Sequence, residues 1–169
     1  MQAMILAAGL GTRLKPITDK LPKALVPVRL QDGSHKPLLE LLLDKMSEQG
    51  VNRFVINVHH LAGQIRTFIK DYLERKGLPI QIAVSDESQL LLDTGGAMRE
   101  ARSLLDHAEP FLVHNVDILS NLHLDDLYSR HKESDLATLL VSQRDTPRQL
   151  LFDKQWHLVG WTNTQKGEF

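Results

Sequence analysis

The sequence predicts an open α/β fold, a mostly parallel sheet with helices on both faces. Three observations carry this. Short apolar runs recur along the chain as AMILAA, RFVINV, IQIAVS, PFLVHN and LATLLVSQ. Each is the length of a strand and almost wholly apolar, the signature of strands buried on both faces. Helical patterns lie between them, and strand alternating with helix places successive strands parallel. Such sheets take their ligands at the carboxyl ends of their strands.

Taken in order, AMILAA opens the sheet and runs into a glycine-containing loop. The segment KPLLELLLDKMSEQG has Pro37 where a helix starts and Gly50 where it stops. RFVINV is the second run. Leu61, Ile65, Phe68, Ile69, Tyr72 and Leu73 then fall on one face of a helix that ends at Gly77. After IQIAVS, Thr94 is the expected N-cap of GGAMREARSLLD, with Ala97, Met98, Ala101, Leu104 and Leu105 facing inward. PFLVHN and LATLLVSQ complete the series of strands. The rhythm then changes: RQLLFDKQWHLVGWTNT reads as two short strands around a turn at Asp153 to Gln155. The expected organisation is one domain over 1–169, with an α/β core at 1–145 and an antiparallel extension beginning at 146–169.

Composition narrows the function classes. With 169 residues, 42% hydrophobic and 24% charged, the chain suits one domain with a real core. The formal net charge of -1 offers nothing global to attract nucleic acid or an anionic membrane. No cysteine is present, which removes disulfides, thiolate zinc sites and cysteine nucleophiles. The amino-terminal residues lack a basic leader, and no apolar run approaches the roughly 20 residues of a membrane helix. The expectation is a soluble, cytoplasmic protein with no nucleic-acid or membrane partner.

The loop after the first strand carries the most information. Gly9 and Gly11 bracket its turn, where the lack of a Cβ lets backbone N–H groups approach a phosphate. Between Arg13 and Lys23 the chain sets Arg13, Lys15, Lys20 and Lys23 against Asp19, locally basic in a slightly acidic protein. Pro16 and Pro22 stiffen the stretch. A dinucleotide fingerprint is excluded because Leu14 stands at its third glycine, and the P-loop pattern is absent. A polyanion site and a solvated basic loop both remain open on these residues alone.

The stretch LAAGLGTRLKPITDKLPKALVPV resembles the signature of the sugar-1-phosphate nucleotidyltransferases, the nucleotide-sugar pyrophosphorylases. That pattern runs G-x-G-x-R, then P-x-T, then P-K-P-L-x-P-V, and here Ala24 replaces one proline. The resemblance implies a Rossmann-like nucleotidyltransferase fold. It implies that the backbone of Ala7, Ala8 and Gly9 meets the nucleotide base, and that Gly11 and Thr12 cradle phosphates. Arg13 and Lys23 become the catalytic cations, Arg13 toward the transferred phosphoryl group and leaving pyrophosphate, Lys23 toward the α-phosphate or the sugar phosphate. Both suit a reaction that gathers negative charge around an α-phosphorus.

Four further groups bear on this frame. Asp117 follows the run PFLVHN, placed to bind Mg²⁺ bridging phosphates, although Val116 stands where the family has glycine. The alternative for Asp117 is a cap on the next helix. Gly95 and Gly96, in DTGG, fall where the family borders nucleotide and sugar, and the pattern is nearest the branch acting on muramate or mannose phosphates. Glu87 falls where relatives place a polar residue against the base. His59 and His60 are adjacent and point to opposite faces, so one metal is a poor fit for both, while one of them could border the sugar.

The resemblance implies a Mg²⁺-dependent enzyme that joins a nucleoside triphosphate to a sugar 1-phosphate, in cell-envelope polysaccharide synthesis. Uridine and guanosine are the favoured bases, with thymidine and cytidine open. Two alternatives stay open: a nucleotide-binding module with an incomplete site, and a cytidylyltransferase acting on phosphocholine. Family members run well beyond this length and carry a second metal-binding aspartate. The expectation is therefore a truncated chain, or a homo-oligomer in which another copy supplies the missing groups.

Overall fold

Four of the five predicted runs form one parallel sheet. In the computed structural model, which describes residues 1–168, β1 (Gln2–Leu6), β4 (Arg53–Val58), β5 (Gln81–Asp86) and β6 (Phe111–Asn115) lie in the order β5-β4-β1-β6. Every neighbouring pair is parallel, with Leu6 opposite both Asn57 and Asn115. The period of two in side-chain direction divides these strands between two cores. Ala3, Ile5, Phe54, Ile56, Val58 and Leu112 join one cluster, while Met4, Val55, Ala83 and Phe111 join the other.

Helices cover both faces, as predicted. α1 (Leu38–Glu48), α2 (Ala62–Lys76) and α4 (Leu124–Arg130) pack on the first face through Leu39, Leu43, Ile65, Ile69, Tyr72 and Leu124. α3 (Asp93–Glu100), continued by a 3-10 turn at Ala101–Leu104, covers the second through Ala97, Ala101 and Leu105. α2 ends as its periodicity predicts: Gly77 takes φ 57, a left-handed cap favourable only without a Cβ, and donates its N–H to Leu73. A charged cluster ties the outer helices together. Arg75 grips the buried Glu40 with both nitrogens, at 2.9 and 3.0 Å, and Asp44 accepts from Lys36, Lys76 and the Tyr72 hydroxyl.

Three expectations need correction. α3 begins at Asp93 with Leu92 as its N-cap, so Thr94 lies within the first turn and makes no side-chain cap. Leu104 is exposed rather than inward, because the 3-10 turn rotates it off the α-helical face. The run at 136–143 forms no strand. Its apolar side chains Leu136, Leu139, Leu140 and Val141 are exposed, and a strand exists only where an edge pairs with it.

The structure adds one hairpin to the predicted elements. β2 (Pro27–Arg29) and β3 (His35–Pro37) pair antiparallel around Asp32 and Gly33, and the Asp32 carboxylate accepts from both the Ser34 N–H and hydroxyl. The chain divides into two compact units, Met1–Tyr128 and the stretch from Ser129 onward. In the second, β7 (Arg148–Phe152) and β8 (Leu158–Asn163) form the predicted hairpin, with Leu150 opposite Trp161. Asp153 closes its turn by accepting from the N–H groups of Gln155 and His157. Among the described residues no helix is long and apolar enough to cross a membrane.

Candidate functional site

From β1 the next strand of the sheet in sequence is β4 on one side, whereas β6 lies on the other. The carboxyl ends of β1 and β6 therefore flank a topological switch point, where open α/β sheets hold their ligands. A cavity of about 280 Å³ lies at these ends. Of the predicted site residues, Ala7, Ala8, Gly9, Lys23, Glu87 and Asp117 line it. Gly11, Thr12, Arg13, Gly95 and Gly96 are not among its lining. From the DTGG segment it is Asp93 and Thr94 that face the cavity.

The loop after β1 is built as a rigid arc. Gly11 has φ 64, and a Cβ there would meet Thr18 Cγ2 at 2.7 Å and Lys23 Cβ at 3.2 Å. Gly11 is thus required twice, by its conformation and by close packing. The buried Thr18 donates its hydroxyl to the Gly11 carbonyl at 2.8 Å. Gly9 differs: a Cβ there would meet nothing within 4 Å, so only a ligand in the cavity would demand its absence.

The predicted cations divide into two kinds. Lys23 donates to Asp117, joining the first loop to the end of β6. Burial pushes the Asp117 carboxyl up, but Lys23, with a smaller contribution from Arg13, holds it below its ordinary value. Asp117 caps no helix, since α4 begins at Leu124. Lys15 is paired with Asp19 at 3.0 Å. Among the described residues Arg13 and Lys20 make no side-chain hydrogen bond or ion pair, and both are exposed at the mouth of the basic loop.

The end of β4 supplies residues that sequence reasoning assigned otherwise or missed. His60 Nε2 lies 2.8 Å from the Thr18 carbonyl and His59 Nδ1 lies 2.6 Å from the Glu87 carbonyl. A carbonyl only accepts, so each of these nitrogens carries the proton. Neither histidine lines the cavity; each pins a loop that does. Asn57 does line the cavity, and its signal in the sequence is a polar residue inside the apolar run RFVINV. Asp93 belongs to the DTGG segment in which the sequence points to Gly95 and Gly96 instead. It is a non-glycine residue at φ 53 on the cavity wall, a conformation that costs energy and concentrates at functional sites.

The profile of the family described as Nucleotidyl transferase matches residues 2–150. The chain belongs to that family. Among nucleotidyl transferases it is 41% identical over 115 residues to N-acetylmuramate alpha-1-phosphate uridylyltransferase of Caulobacter vibrioides, covering 68% of this chain and 45% of that protein. It is 33% identical over 150 residues to probable mannose-1-phosphate guanylyltransferase 3 of Oryza sativa subsp. japonica, covering 87% of this chain and 39% of that one. The chain thus spans less than half the length of these curated relatives. The crystal structure of HddC from Yersinia pseudotuberculosis complexed with GMP-PN superposes with a TM-score of 0.72 at 26% identity, over 97% of this chain and 74% of that one.

Among the described residues no three His, Cys, Asp or Glu side chains gather as a metal site. Asp117 alone is a donor set that fits a hard cation when phosphate oxygens supply other ligands, the usual manner of Mg²⁺ at phosphate-transfer sites.

Proposed function

We propose that the cavity at the ends of β1 and β6 binds a nucleoside triphosphate, and that the chain transfers its nucleotidyl group to a sugar 1-phosphate. The observation that carries this reading is the convergence of the glycine loop, Lys23 and Asp117 at the topological switch point. The named activities of the muramate and mannose relatives support the reaction class, and GMP-PN in HddC supports a nucleotide ligand. Those two relatives name different bases, so uridine and guanosine are both carried forward.

In the proposed reaction an oxygen of the sugar phosphate attacks the α-phosphorus. The bond to the bridging oxygen of the β-phosphate breaks, and pyrophosphate leaves with its electron pair. A phosphate monoester has a second pKa of about 6, so the nucleophile needs no side-chain base at neutral pH. Lys23 exchanges Asp117 for the α-phosphate, a charge-assisted contact that grows stronger as charge accumulates. Arg13, unpaired beside the loop, meets the departing pyrophosphate. Gly11 and Thr12 shape the phosphate-facing arc, and Gly9 leaves room for the nucleotide. Asp117, released from Lys23, would hold Mg²⁺ together with phosphate oxygens, and the ion when bound neutralises charge on the phosphates.

The test is pyrophosphate release from UTP, GTP and CTP, each offered N-acetylmuramate 1-phosphate, mannose 1-phosphate and phosphocholine. Release with one sugar phosphate, abolished by Lys23→Ala or Asp117→Ala, supports the proposal. Release with CTP and phosphocholine alone moves the acceptor to the choline class. Triphosphate binding without release under any pairing leaves a nucleotide-binding module and overturns the transferase reading.

A further inference from the structure

A buried carboxylate is a poor choice for a cavity meant for a polyanion, yet Glu87 is 3% exposed on the cavity wall. Its hydrogen bonds give the reason. Asn57, also 3% exposed, accepts at Oδ1 from the N–H groups of Ala7 at 2.6 Å and Ala8 at 3.3 Å. Its Nδ2 donates to Glu87 Oε1 at 2.8 Å. The second oxygen, Oε2, accepts from the Leu92 N–H at 3.3 Å, just before α3. One side-chain pair thus joins the end of β1, the end of β4, the segment after β5 and the entry to α3.

We infer that Asn57 and Glu87 are a positioning pair that preforms the first loop of the nucleotide site. This rests on the proposed function for what the loop receives, but not for the clamp itself. An amide is useful at 57 only in one orientation, because reversing it would set Nδ2 against two N–H donors. The carboxylate at 87 enforces that orientation, since it can only accept. It also accepts from Leu92 with its second oxygen, which an amide taking the Asn57 bond on its own oxygen could not do, because its other atom is a donor. The N–H groups of Ala7 and Ala8 are held inside the protein, so this strand end meets a ligand with a set shape rather than free donors.

The hydrogen-bond pattern permits a decisive exchange. Asn57→Asp alone faces two carboxylates, and Glu87→Gln alone leaves one amide unable to serve both Asn57 and Leu92. When the two substitutions are combined, the carboxylate placed at position 57 accepts from Ala7, Ala8 and the new amide at position 87, whose oxygen accepts from Leu92. Every bond is restored with the charge moved across the pair.

The experiment is amide hydrogen exchange on the full chain without ligand, followed by calorimetric titration of UTP and of GTP with Mg²⁺. Each single variant is expected to lower protection at Ala7 and Ala8 by about tenfold or more, the cost of one unmatched buried group. Protection at Met4 and Ile5 stays as in the wild type, whereas a merely structural defect lowers all four together. The double variant recovers protection and nucleotide affinity to within a few-fold. If Asn57→Asp does not fold, the double variant must fold and must carry the recovered protection. Unchanged exchange in the singles, or a double variant worse than either, overturns the inference. Recovered exchange without recovered affinity overturns it too, because Glu87 would then act on the ligand directly. A wild type that binds neither UTP nor GTP while exchange follows the expected order sinks the nucleotide reading and leaves the clamp standing.

Discussion

The two units of this chain use apolar residues in opposite ways. Met1–Tyr128 buries a core: Leu43, Ile65 and Tyr72 are fully buried between helices and a parallel sheet, and the exposed apolar residues such as Ile17, Leu90 and Leu119 lie in its loops and 3-10 turns. From Ser129 onward Leu140, Leu158, Val159 and Trp161 are exposed, on a two-stranded hairpin and an unpaired run. An isolated hairpin is marginal in water, and burial supplies most of what holds a domain together. The contrast teaches that stability and the candidate site both belong to the first unit, where the cavity is lined entirely by residues up to Asp117.

The strongest way to break this contrast is truncation in each unit. Leu43→Ala, at a fully buried position, should cost about 2–5 kcal/mol in a urea melt. Leu158→Ala, half exposed on β8, should stay within about 0.5 kcal/mol of the wild type. Equal costs would dissolve the difference between the units.

Within the first unit the two loop glycines sharpen the division between fold and ligand. Gly11→Ala places a Cβ at 2.7 Å from Thr18 at a positive φ, and a loss of about 1–3 kcal/mol in thermal unfolding is expected. Gly9→Ala meets only open space. It should leave the melting temperature unchanged and weaken triphosphate binding, as read by calorimetry. A Gly9→Ala chain that binds as well as the wild type would remove the nucleotide from that wall.

Acid provides a smaller test. Asp86, held by Ser88 and Arg66, has its carboxyl lowered from 3.8 to about 2. Burial pushes Asp44 up, but Lys36, Lys76 and Tyr72 bring it below its ordinary value. Both folded values are depressed, so their stabilisation is complete above pH about 4 and is lost as the pH falls toward about 2. Urea midpoints should decline through that window, and Asp86→Asn should flatten the decline. A midpoint that rises on acidification contradicts the assignment.

Much of this was legible in the sequence, for physical reasons that also mark the limits. AMILAA, RFVINV, IQIAVS and PFLVHN are apolar on both faces because both faces are covered, and the pattern alone reports that. LATLLVSQ has the same composition but no partner strand among the described residues, and pairing is a tertiary event that composition does not contain. The β2–β3 hairpin has a turn signal in Asp32-Gly33, but its three-residue strands are too short to show an apolar pattern. Gly9, Lys23 and Asp117 are legible as cavity residues because they sit in contiguous motifs. Asn57 and the loop-pinning contacts of His59 and His60 are not legible, because they are made to backbone atoms of Ala7, Glu87 and Thr18, far along the chain.

The most direct measurement is calorimetric titration of UTP and GTP, each with Mg²⁺, into the wild-type chain and Lys23→Ala. At least one triphosphate should bind the wild type, and Lys23→Ala should weaken that binding by about tenfold or more, the value of a charge-assisted hydrogen bond. A folded wild-type chain that binds neither, or a Lys23→Ala chain that binds as tightly, would contradict it.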